Sequence, residues 1–277
     1  MRMSGRKKAA LWIITLVVGF IIMWPVYWIV KSSFTQQVDL FKSPIQYWPV
    51  NLTLENYKKL VEAAGLMEFL KGTFIITTGS LLTSVFLCAL AGYGFARCST
   101  RGMNLAFAFI MYSTMVPGTV TVIPLMILWR SLKLSDTFPG LIILYFSLLI
   151  PFSTIMYTGF ISQIPSSLEE AARIDGTSML GAFVRIILPL LKPIMATLCI
   201  INFITCLNEF FTPLMFTIKN VKVMSMLMSS IPNVNQYQLP WGSISAAGCL
   251  MLLPAVLFIT LFEKNIMGGL MMGSIKQ

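Results

Sequence analysis

Apolar residues in this chain come in long unbroken runs, unlike the alternating or three-to-four-residue patterns of half-buried elements. Six such runs cover residues 9–30, 72–95, 105–129, 138–160, 194–216 and 243–262. A hydrocarbon core about 30 Å thick takes roughly 20 residues of helix to cross. Lipid offers no hydrogen bonds to the backbone, so each run must satisfy its own N–H and C=O groups. The pattern therefore predicts an all-α membrane protein of six transmembrane helices.

Arg2, Arg6, Lys7 and Lys8 precede the first run, which continues through Trp24, Tyr27 and Trp28. A signal peptide has a shorter apolar core and a small-residue cleavage site, so this run reads as a true span. Basic residues favour the cytoplasmic side and aromatic residues the interfaces. Six crossings then place both termini in the cytoplasm. Arg97, Arg101, Arg173 and Arg185 share that side with the N-terminus, and Arg130 is the exception. Residues 31–71 and 217–242 become external loops.

One polar-bearing stretch interrupts the second half, P-S-S-L-E-E-A-A-R-I-D-G-T-S-M-L-G-A-F-V-R-I-I-L-P at residues 165–189. Ser166 and Ser167 each have a Glu three residues later, the spacing of a capping box. Gly176 suits a left-handed helix stop, Thr177 or Ser178 a second cap, and Pro189 the end of a second helix. Two short helices between membrane-length runs make a knob on the cytoplasmic surface.

Composition narrows the class further. The chain is 57% hydrophobic and 11% charged, with mean hydropathy +0.82, too apolar for a soluble domain of 277 residues. It has no His, which removes imidazole acid–base chemistry and imidazole metal ligands. Cys88, Cys98, Cys199, Cys206 and Cys249 show no C-x-x-C spacing, so neither a metal site nor a disulfide framework is expected. The net charge of +10 is dispersed among loops, which fits membrane topology rather than nucleic acid. No nucleophile, acid–base pair or metal-ligand set is assembled, so no catalytic residue is expected.

The 165–189 stretch resembles the EAA loop of permease subunits of ABC importers. Glu170, Ala171, Ala172, Gly176, Ile186, Leu188 and Pro189 keep the frame E-A-A-x3-G-x9-I-x-L-P. The resemblance extends along nearly the whole chain and is nearest to maltose-type subunits of carbohydrate importers; N-L-T-L-E-N-Y at residues 51–57 resembles the first external loop of sugar-type permeases, which implies a short helix after an N-L-T cap. It implies the type-1 importer permease fold, in a bacterial cytoplasmic membrane, with a cytoplasmic coupling helix that docks into an ATPase subunit. Glu170, Ala171, Ala172, Asp175, Gly176 and Pro189 would carry that docking. ATP with Mg would be bound by the partner ATPase dimer, since no G-x-x-x-x-G-K-[ST] occurs here. A second, non-identical permease, an extracytoplasmic sugar-binding protein and an oligosaccharide substrate are also implied. The chain then divides into a tail and first helix (1–30), an external loop (31–71), a permease core (72–262) and a cytoplasmic tail (263–277).

Three further features bear on transport. Prolines recur in the runs and mark kinks; the third run is the most broken, with Pro117-Gly118 and Pro124 inside it, and its Thr114, Thr119 and Thr121 either repair helix hydrogen bonds or line a cavity. Glu209 is the single acidic residue inside a run, where a charge costs roughly 2.5–3.5 kcal/mol and must face protein or water. With Asn208 it sits in an N-E-F pattern like the fifth helix of sugar permeases, and lines the translocation path, locks helices together, or lies at the interface if the span is shifted. The ending keeps Gly269, Gly273 and Lys276 of a family tail that reaches the ATPase dimer. A rival class, the ion-coupled secondary transporter, would need more intramembrane carboxylates or His and visible repeats.

Overall fold

The computed structural model describes residues 5–235 and 238–274, and among these regular structure is helical apart from two isolated bridges. Short single turns aside, the order is α1 (Gly5–Ser33), α2 (Glu55–Glu62), α3 (Leu66–Arg97), α4 (Arg101–Ser113), α5 (Gly118–Ser131) and α6 (Phe138–Ile161). There follow α7 (Ser167–Ile174), α8 (Met179–Leu190), α9 (Lys192–Asn208), α10 (Phe211–Phe216) and α11 (Trp241–Ser274).

Among the described residues, four helices are long and apolar enough to cross a membrane: α1 from Lys7, α3, α6, and α11 as far as Leu261. The pairs α4–α5 and α8–α9 are bent by 108° and 72°, and bring the total to six if each pair is one crossing.

Two of the expected spans are not single helices. The third breaks at Pro117-Gly118, where its sequence was most interrupted. The end of α4 tightens into three-residue bonds, Met115 N to Tyr112 O (3.0 Å) and Val116 N to Ser113 O (3.3 Å), and α5 restarts after Pro117, which has no N–H to continue the ladder.

The fifth is not continuous over 194–216 either. Helix α9 stops at Asn208, and Pro213 lies in the separate α10. In a continuous helix Pro213 would clash with the carbonyl of Glu209, four residues back, and leave it without a donor. That carbonyl instead accepts from Tyr145 Oη at 3.1 Å and Ser225 Oγ at 2.7 Å. Pro189 does not end its helix. A π-helical turn at Phe183–Ile187 precedes it, helix continues to Leu190, and the bend falls at Leu191.

The chain forms two compact units. One comprises residues up to Met67 with Leu227–Leu253. Here Asn56 of α2 donates to the carbonyls of Ser33 and Thr35, both at 2.9 Å, and so fastens α2 to the end of α1. Thr53 Oγ1 accepts from Glu55 N at 3.1 Å at the start of α2, the short helix that the resemblance implied after N-L-T.

The other unit comprises Glu68–Met226 and the chain from Pro254 onward. Its helices α3 and α6 lie close because small residues let the backbones approach. A Cβ on Gly92 would come within 2.6 Å of the Tyr157 Cβ, and one on Gly79 within 2.8 Å of Ile142. Asn202 of α9 joins both helices, donating from Nδ2 to Ser153 Oγ (2.9 Å) and Ser84 Oγ (3.2 Å) in a fully buried knot.

Candidate functional site

The polar loop at 165–189 is built by its own turn chemistry. Helix α7 closes on Gly176, whose φ of +85° only glycine adopts without strain, and Gly176 N donates to Arg173 O at 3.0 Å. Ser178 then caps α8, its Oγ accepting from Gly181 N at 3.1 Å. The capping box expected at the start of α7 does not form: the Ser166 side chain caps nothing, and Ser166 is itself in helical conformation.

The reason is that the two adjacent glutamates do opposite things. Glu169 is buried, and its carboxylate turns towards α3. Oε2 accepts from Tyr93 Oη at 2.6 Å and Oε1 from Arg97 Nε at 2.7 Å, while Arg97 Nη2 donates to Ile164 O at 2.8 Å. Glu170, one residue and about 100° further round α7, is exposed. Ala171, Arg173, Asp175 and Gly176 are exposed as well, and Ala172 is half-buried. Ile174 is 87% exposed and Leu180 66%, so the outer face of the loop is an apolar surface edged by charge. Pro189 is exposed beyond the π turn.

The other sequence-marked residues lie apart from this loop. Asn208 is exposed in the last turn of α9, and Glu209 is half-buried just beyond it. Glu209 Oε1 accepts from Thr212 N at 2.7 Å, so the carboxylate serves as a side-chain cap on α10. Gly269 and Gly273 lie in the last turns of α11, and Lys276 is outside the described residues.

Two groups were missed from sequence. Tyr93 and Arg97, four apart at the end of α3, share one face, which was the only available signal for a buried acidic partner. Asp136, with φ 55°, joins two loops that are distant in sequence. Oδ2 accepts from Lys219 N and Asn220 N, both at 2.9 Å, and Oδ1 from Val221 N at 3.0 Å. Burial alone would raise this carboxyl, but the backbone donors outweigh it and hold it below its ordinary value. Among the described residues no group of three His, Cys, Asp or Glu is placed to hold a metal.

Comparison with known proteins adds an independent line. The family model for the binding-protein-dependent transport system inner membrane component matches residues 85–267. The chain is 31% identical to the multiple sugar-binding transport system permease protein MsmG of Streptococcus mutans, over 96% of each chain. It is 30% identical to the trehalose/maltose transport system permease protein MalG of Thermococcus litoralis, covering 100% of this chain and 99% of that one. The trehalose transport system permease protein SugB of Mycobacterium tuberculosis is 29% identical over 98% and 99%. In fold, the chain superposes on a solved subunit of a bacterial ABC transporter involved in import of the acidic polysaccharide alginate. The TM-score is 0.79 with 19% identity, over 95% of this chain and 99% of that one.

Proposed function

Since the chain belongs to the inner membrane components of binding-protein-dependent transport systems, we propose that it is a permease subunit of an ATP-driven sugar importer. The observation that carries the reading is the family match over 85–267 together with the outward face of the loop it contains, where Glu170 and Ile174 are free to meet another protein. An oligosaccharide is the favoured cargo, because the relatives are named for trehalose, maltose and multiple sugars.

In this reading the loop lies in the cytoplasm, with both termini, and docks in a cleft of an ATPase subunit. Glu170 meets a basic residue there. The small Ala171 and Ala172 allow close approach, Asp175 and Gly176 set the turn, and Pro189 positions the return into the membrane. ATP and Mg belong to the ATPase dimer, and Gly269, Gly273 and Lys276 form a tail directed towards it. A second, non-identical permease completes the translocation path, with Asn208 and Glu209 near it, and an external binding protein delivers the sugar. Closure of the ATPase dimer displaces the docked loops and switches a central cavity from inward-facing to outward-facing.

The test is purification from the native membrane with mass spectrometry of what accompanies the chain. An ATPase and a second permease are expected with the native chain, and Glu170→Lys should lose the ATPase while remaining inserted. A native chain that purifies alone would refute the proposal, as would a complex that imports glycerol phosphate and no neutral sugar.

A further inference from the structure

A displaced loop moves only itself unless something ties it to a span, and the two ends of α3 carry such ties. We infer that Glu169 is a positioning residue that makes α7 and α3 move as one body, and that α3 conveys the movement to the segment at 222–224. The inference rests on the docking of the 165–189 loop proposed above.

At the loop end, both side chains that grip Glu169 come from α3, Tyr93 and Arg97, so displacement of α7 loads that helix first. Arg97 also holds Ile164 O, just ahead of α7, and the Tyr93 ring meets Phe183 of the π turn with centroids 5.0 Å apart. The grip therefore reaches both helices of the loop. Glu169 cannot serve the docking face, because it points away from Glu170 and Ile174 into protein.

At the opposite end, Glu68 pairs with Lys222, and Thr73 Oγ1 accepts from Met224 N at 2.7 Å. The backbones touch there too: a Cβ at Gly72 would sit 1.8 Å from the Lys222 carbonyl oxygen. From Glu68 to Arg97 a helix rises about 44 Å, more than a hydrocarbon core of about 30 Å. The 32 residues of α3 run as one helix without proline, Gly79-Ser80 being its one Gly/Ser pair. A continuous helix fastened at both ends transmits displacement, and Ser225, next to the segment it reaches, also holds the Glu209 carbonyl.

The experiment uses the complete transporter in lipid vesicles with Lys219→Cys as a reporter in the exposed loop, labelled by a membrane-impermeant maleimide and read as the excess over the same chain without the substitution, which carries five free cysteines. With the native clamp, trapping with ATP and vanadate should change the labelling rate about 5-fold or more, the lower bound of ordinary allosteric coupling. Glu169→Gln should bring the change under about 2-fold while the ATPase subunit still co-purifies. Tyr93→Phe, which deletes one hydroxyl and keeps the ring, should give an intermediate change, and Glu169→Arg with Arg97→Glu should recover part of the native response.

A native-sized response in Glu169→Gln would overturn the inference. So would loss of the ATPase from that variant, since Glu169 would then belong to the docking itself. If the native chain retains no ATPase, the docking proposal fails first, and that outcome is visible before any variant is made.

Discussion

Asp136→Asn isolates one of the polar pins that fix the loops of this protein. Asn adopts the left-handed backbone found there, φ 55°, and Asp136 N can still donate to Phe216 O at 2.9 Å. Only one carboxylate oxygen changes, becoming an NH2 group. In either orientation that group faces N–H groups of Lys219, Asn220 or Val221 that now donate to an oxygen at 2.9–3.1 Å. At least one donor is orphaned, and the remaining bonds lose the help of the charge. An orphaned donor costs about 1–3 kcal/mol when buried, and because this site is only half-buried, about 1–2 kcal/mol is expected. At roughly 2–4 °C per kcal/mol for a chain of this size, Tm should fall by about 2–8 °C in detergent, read by fluorescence-detected size exclusion after heating.

The pH dependence has a definite sign. Burial opposes ionisation of Asp136, but the backbone donors prevail and the folded value lies below the ordinary one. A depressed carboxyl contributes stability above its unfolded pKa, about 3.9, and loses it as pH falls through the folded value. The gap between native and variant should be constant from about pH 8 to 5 and close below about pH 4. A variant Tm within about 1 °C of native at neutral pH, or a gap undiminished at about pH 3, would refute the pin.

Two other substitutions probe single contacts. Gly72→Ala places a methyl against the Lys222 backbone and should cost about 1–3 kcal/mol, whereas Gly19→Ala, with nothing within 4 Å, should be neutral or slightly stabilising; thermal unfolding compares them. Glu209→Gln keeps the acceptor for Thr212 N and should leave Tm near native, while Glu209→Ala loses the cap at about 1 kcal/mol. A fall in sugar uptake for Glu209→Gln at unchanged protein level would show that the carboxylate charge itself is used in the path.

The membrane class, the number of apolar runs, the Gly176 turn and a cap at Thr177 or Ser178 were all legible from the chain alone. Each rests on a local property: run length against bilayer thickness, a left-handed φ, or an oxygen three residues from an N–H donor. Other features depended on partners far away in sequence. Both Glu169 and Glu170 fitted a capping box, and only the arrival of Tyr93, 76 residues distant, decided which was buried. Glu209 read as a charge inside a span until Pro213 and the hydroxyls of Tyr145 and Ser225 ended the helix before it. Asp136 had no marked neighbour at all, because its donors lie 83 residues and more along the chain. Hydrophobic length is a one-dimensional quantity that the order of residues determines, whereas satisfaction of a buried polar group depends on which helices pack together, and only the tertiary structure decides that.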